Sequence, residues 1–155
     1  MSESDSKYLI FSVSGREYAM CFSDIRMILP AQRPRRIPDF PDYVLGDIVN
    51  DGQNVTIIDL RRRFGFETKE FSERDCMIVC DSLKSIGVMV DSISGFKDLL
   101  PEDISPPPDV NEQVNARFIS GSFLSGDKPC YILKPELIIR RDDEELFEDR
   151  DLLDQ

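Results

Sequence analysis

The sequence predicts a mainly β protein made of one or two small barrels, and three observations carry that expectation. At least seven short apolar runs recur at regular intervals along 155 residues. Gly, Asp, Asn and Ser, the residues of tight turns, stand between them. The length suits one ordinary domain, and 41% hydrophobic residues supply its core without disulfide staples.

The elements follow in chain order. YLIFSV (8–13) and EYAMCF (17–22) are joined at Ser14-Gly15-Arg16, the spacing of a hairpin turned on glycine. Ser23 and Asp24 suit a helix N-cap and IRMIL stops at Pro30, which predicts about two helical turns over residues 24–29. Pro34, Pro38 and Pro41 exclude a central strand from the next stretch and leave an edge or a surface loop. YVLGDIV and NVTIIDL flank Asn50-Asp51-Gly52, where Asp-Gly supplies the positive φ angles of a tight hairpin. In the second of these runs Val55 and Ile57 share one face and Ile58 and Leu60 the other, so the strand is expected to be covered twice. CMIVC and SIGVMVDSI form another pair, and FISGSFL and CYIL a last hairpin turned at Ser125-Gly126-Asp127-Lys128. Pro135 suits a first helical position, and Ile139, Leu146 and Leu153 fall seven apart among acids. The C-terminal segment therefore reads as an amphipathic helix fraying into a tail. The expected organisation is a disordered N-terminus (1–6), a domain (7–140) and an acidic helix or tail (141–155).

Charge and composition exclude several functions. With 19 Lys and Arg against 30 Asp and Glu, the formal charge is −11, which disfavours nucleic acid and anionic membranes and favours a protein partner. Histidine is absent, removing Ser-His and Cys-His nucleophiles and histidine zinc sites, so no enzyme and no cofactor or metal are expected. Gly121 to Asp127 lacks the lysine of a phosphate loop and reads as a hairpin. Cys21, Cys76, Cys80 and Cys130 are scattered at no CxxC spacing and read as buried free thiols. No basic and apolar leader opens the chain and no run reaches membrane-span length, so a cytoplasmic location without membrane insertion is expected.

Pro38-Asp39-Phe40-Pro41-Asp42-Tyr43-Val44-Leu45-Gly46 is followed by Gly52 and by the run Ile57-Ile58-Asp59-Leu60-Arg61-Arg62-Arg63-Phe64-Gly65. Gly87 to Ile93, Ile104 to Pro108 and Ile119-Ser120-Gly121 come later. In this order and spacing, from about Lys7 to Ile139, the chain resembles CheW-like domains, the scaffold modules of bacterial chemosensory signal transduction. The resemblance implies two intertwined five-stranded SH3-like β-barrels with a hydrophobic groove between them. It also implies a non-enzymatic adaptor that couples the regulatory domain of a CheA-type histidine kinase to the cytoplasmic tip of a chemoreceptor.

Candidate partner-binding residues are Ile25, Met27, Ile28, Val44, Gly46, Ile48, Asn50, Asp51 and Val88. Ile25, Ile28, Val44, Ile48 and Val88 are groove candidates, with a core role competing for each, and Asn50 and Asp51 sit on an exposed turn. Gly46 also fits a close backbone approach, Asp59 either an N-cap or a partner contact. Arg61-Arg62-Arg63 reads mostly as a solvated face, or as a basic patch with Arg33, Arg35 and Arg36. The family's Asn-Leu-Arg-Gly is Val49-Asn50-Asp51-Gly52 here, its acidic helix residue is Met27 and its strand proline is Thr56. The inverted charge at Asp51 implies a partner that differs there. Two rival readings remain at this point: a divergent relative that binds or sequesters a non-standard partner, and a small-molecule sensor or carboxylate enzyme built on a β-barrel, with a pocket where acids such as Asp59, Asp91 and Glu17 converge.

Overall fold

In the computed structural model, which describes residues 6–68, 70, 72–81, 85–106, 118–139 and 143–147, the chain builds two five-stranded sheets. It opens with β1 (Lys7–Val13) and β2 (Arg16–Cys21) of the first sheet. The whole second sheet follows: β3 (Ile25–Pro30), β4 (Val44–Asn50), β5 (Gln53–Asp59), then the one-turn helix α1 (Leu60–Arg63), β6 (Cys76–Cys80) and β7 (Ile86–Val90). The chain then returns to the first sheet with β8 (Ser92–Asp98), β9 (Ile119–Ser125) and β10 (Lys128–Leu133), and ends its regular order with α2 (Pro135–Ile138). The barrels are thus intertwined because one is inserted between the second and third strands of the other.

The first sheet runs β8-β1-β2-β10-β9 and the second β3-β6-β7-β5-β4. Started at β8 and closed through β1 and β2, the first order is identical to the second. Each sheet also carries its parallel pairing at the equivalent place, β10 with β2 and β5 with β7. Period-two alternation divides the apolar residues among three cores. Ile10, Ala19, Phe123, Cys130 and Ile132 fill the first sheet's own core, and Ile48, Val55, Ile57, Met77, Val79 and Met89 the second's. Leu9, Phe11, Val13, Ile58, Ile78 and Val88 fill the large core shared by the two sheets. β5 is covered on both faces as its sequence predicts.

Three expectations are corrected. Residues 25–30 form strand β3, not two helical turns, and helix is confined to a 3-10 turn over Phe22–Asp24. Ile25, Met27 and Leu29 are half-buried while Arg26, Ile28 and Pro30 are exposed, the register slips between Ile25 and Met27, and pairing with β6 outweighs the local N-cap signal. The C-terminal heptad does not form one helix either. α2 stops at Ile139, which is extended at φ −81° and ψ 133°, and a separate helical turn spans residues 144–147. That turn is anchored by Phe147, 2% exposed, whose ring lies 5.5 Å from Phe40, while Tyr43 donates a hydrogen bond to the buried Asp143. Leu153 lies outside the described residues.

The arginine run is the third correction. Arg61 is buried, its guanidinium held by Asp75 at 3.1 Å and by Asp91. Arg63 is half-buried, 4.0 Å over the Phe118 ring, and donates to the Ile138 carbonyl. Arg62 alone of the three is exposed. Only a side chain whose charge is matched, here by acids just before β6 and just after β7, is buried in this way.

Candidate partner-binding surface

The β4–β5 hairpin pairs Asn50 with Gln53 and turns on Asp51 and Gly52, at φ 52° and 77°. Two successive positive φ angles make the turn that matches the strands' twist, and glycine takes the second without strain. β3 and β4 are the outer strands of the second sheet, and their side chains meet at this turn. The Asn50 amide donates to the Met27 thioether at 2.9 Å, and the Arg26 guanidinium to the Gln53 side-chain carbonyl at 2.9 Å. Met27 is therefore brought to Asn50, 23 residues away in sequence and next to Asp51. Asp51 points into solvent beside Val49, which is 66% exposed.

The apolar candidates divide by face. Register places Ile25 opposite Cys80, Ile28 opposite Ile78, Ile78 opposite Val88, Val88 opposite Ile58, and Ile58 opposite Val44. Ile25, Ile28, Val44 and Val88 thus share the face turned to the core between the sheets. Val88 is fully buried at its centre, Ile25 and Val44 are half-buried at its rims, and Ile28 emerges 43% exposed at the β3 edge. Ile48 is on the opposite face, buried in the second sheet's own core. Gly46 is buried where a Cβ would lie 2.1 Å from the Arg35 carbonyl oxygen, because the backbones of Arg35 and Asp47 hydrogen-bond across it.

Behind this surface, Asp59 caps α1 by accepting from the Arg61 amide at 3.0 Å. Burial raises its carboxyl pKa, and Arg61 and Arg62 lower it in part. Asp91, held by Arg61, also accepts from the Ser14 amide at 2.8 Å, so the network ties the β1–β2 turn to the second sheet. A cavity of about 580 Å³ adjoins it, lined by Arg33, Pro34, Leu45, Asp59, Asp75 and Met89 among others. Asp59 reaches this cavity, whereas Asp91 faces Arg61 and Glu17 is exposed on β2, so the three acids do not converge. Burial pushes the Cys80 and Cys130 thiols up to about 12, which makes them inert.

The family model for the CheW-like domain matches residues 7–143. The chain belongs to the CheW-like domain family. Among CheW relatives, the chemotaxis protein CheW of Klebsiella aerogenes is 25% identical over 134 residues, 86% of this chain and 81% of that protein. A probable chemotaxis protein CheW of Rhizobium etli is 27% identical over 129 residues, 83% of each chain. The crystal structure of the scaffolding protein TtCheW from Thermoanaerobacter tengcongensis superposes with a TM-score of 0.80 at 25% identity, covering 86% of this chain and 92% of that one. The mainly β, two-sheet fold is that of a CheW-like domain.

Three exposed or half-exposed apolar residues escape the sequence reading. Val49 lies in a run that reads as strand interior, and only its place next to the turn marks it. Phe22 and Phe96 meet edge to face at 6.1 Å, with the Lys7 ammonium 5.1 Å from the Phe96 ring centre, and Phe96 is 65% exposed. They come from segments more than seventy residues apart, and no local signal pairs them.

Proposed function

We propose that this chain is a non-enzymatic chemosensory scaffold that joins the regulatory domain of a CheA-type histidine kinase to the cytoplasmic tip of a chemoreceptor. The observation that carries the reading is the match to the CheW-like domain over residues 7–143, together with the likeness to a scaffolding protein across most of both chains. Two surfaces suit it. One is the turn where Val49, Asn50 and Asp51 meet β3, an apolar and acidic tip on a rigid hairpin. The other is the rim of the inter-sheet core, where Ile28, Ile25 and Phe22 approach solvent. No described helix is long and apolar enough to cross a membrane.

The exposed Asp51 favours one refinement, a partner adapted to an acidic turn. A carboxylate in an interface needs a donor, so the partner presents Lys, Arg or a backbone N–H there. The test is a binding titration of wild type, Asp51→Asn and Asp51→Arg against the co-purified kinase, with thermal melts alongside. Asp51→Arg is expected to weaken the complex at least tenfold, about 1.4 kcal/mol, without lowering the melting temperature. Equal affinities for all three would remove the turn from the interface and leave Asp51 as a turn former.

A further inference from the structure

Four of the five methionines lie within the described residues, and three of those are sealed: Met20 and Met77 are fully buried and Met89 is 2% exposed. Met27 is the exception. It stands half-buried on β3, packed against the second sheet's own core while part of its surface stays in solvent. A thioether at the surface is open to peroxide, and it reacts without first losing a proton. The thiols compete poorly. Cys21, Cys80 and Cys130 are buried. Burial pushes the Cys80 and Cys130 thiols up to about 12, and burial together with the neighbouring Asp75 raises that of the half-buried Cys76. The thiolate is the reactive form of cysteine, so these three positions hold little of it near neutrality.

Met27 also sits where a local change is transmitted. β3 and β4 are not neighbours in the order β3-β6-β7-β5-β4, so no backbone ladder joins them. Side chains do: the Asn50 amide donates to the Met27 Sδ at 2.9 Å, and the Arg26 guanidinium to the Gln53 side chain at 2.9 Å. Asn50 and Gln53 are the paired residues that flank Asp51 and Gly52. A sulfoxide is bulkier and polar, and its oxygen is a stronger acceptor than the thioether sulfur. The Asn50 amide then has to leave the sulfur, and the polar side chain fits the apolar cluster beside it less well.

We propose that Met27 is a peroxide-oxidisable site whose conversion to the sulfoxide releases the tip of the β4–β5 hairpin from β3. In that step an electron pair of the sulfur forms the bond to one peroxide oxygen, the O–O bond breaks, and the other oxygen leaves as water with both protons. Thiol-dependent methionine sulfoxide reductases reverse it, the thiols being oxidised to a disulfide and the oxygen leaving as water. The site acts on the chain's own hairpin and does not depend on which partner meets the turn.

The test treats the full chain with dilute hydrogen peroxide at neutral pH. Mass spectrometry follows each methionine and cysteine peptide, and nuclear magnetic resonance follows the Asn50 side-chain amide and the Asp51 and Gly52 backbone amides. Met27 is expected to gain one oxygen about tenfold faster than Met20, Met77 or Met89, with the thiols intact. The three turn signals should move with the same time course and return after treatment with both reductases and a thiol. They should stay in place in Met27→Leu treated alike, which separates the effect from oxidation at Met1, and unmoved Ile10 and Phe123 amides report an intact fold. Oxidation of Met27 no faster than that of the three buried methionines, or a cysteine oxidised before it, would overturn the proposal. Turn signals that stay in place once Met27 is fully oxidised, or that move equally in Met27→Leu, would overturn it as well.

Discussion

Arg61 is 3% exposed on a four-residue helix, and its charge is tolerable only because Asp75 and Asp91 reach it from elsewhere in the chain. Truncation by Arg61→Ala would strand two carboxylates, and the expected loss is about 3–5 kcal/mol in urea unfolding. Arg61→Lys should recover little, since an ammonium lacks the planar fork that spans two acids. Asp59 gives a prediction of opposite kind. Burial raises its folded-state pKa, so the native protein holds this proton more tightly than the unfolded chain, and stability falls as pH rises from the unfolded value through the folded one. Asp59→Asn keeps an acceptor for the cap and removes that decline. Melts between about pH 3 and pH 7 should therefore show a flatter profile for the variant, with its gain over wild type greatest at the neutral end. The two residues also differ in how legible they are. The cap at Asp59 is local, two residues from its donor, and the sequence predicts it. Arg61 finds its partners 14 and 30 residues away, and in a run of three arginines nothing local separates the buried one from the exposed one.

Among the elements, hairpins were the most legible, because turn chemistry and alternation agree within a few residues of each other. β3 was not. An N-cap pair before a short apolar run is a real helix signal, but an edge position against β6 decided the conformation, and that neighbour lies some fifty residues on. The apolar site candidates show the same limit. Ile28 and Val88 read alike in sequence, yet the register puts one at an edge and the other under the shared core. Two elements carry sharp tests. Gly46→Ala places a Cβ against the Arg35 carbonyl at a φ of +145°, and should cost more than about 2 kcal/mol and separate the 31–36 loop from β4. Gly52→Ala, with open space around it, should cost about 1 kcal/mol through backbone strain alone. Phe147→Ala removes a fully packed ring from the C-terminal turn, and about 3–5 kcal/mol should be lost in urea unfolding.

At the scale of the whole molecule, the two sheets share one strand order, and the chain enters the first, completes the second and returns. Unfolding either sheet strips one side of the core between them, which predicts a single cooperative transition rather than two. The sequence indicates barrels by strand count, but the insertion of one within the other follows from long-range pairing, and only the family resemblance implies it. The same architecture brings the hairpin tip at Asp51 and the edge of β3 at Ile28 to one end of the second sheet, where Asn50 touches Met27. The proposed scaffold role is tested most directly by sedimentation of the full chain mixed with the regulatory domain of a CheA-type kinase and a receptor-tip fragment. A ternary complex is predicted, with Val49→Lys or Asp51→Arg releasing one component while the other stays bound. Mutually exclusive binding, or binding of neither component by a chain that melts normally, would contradict the scaffold account.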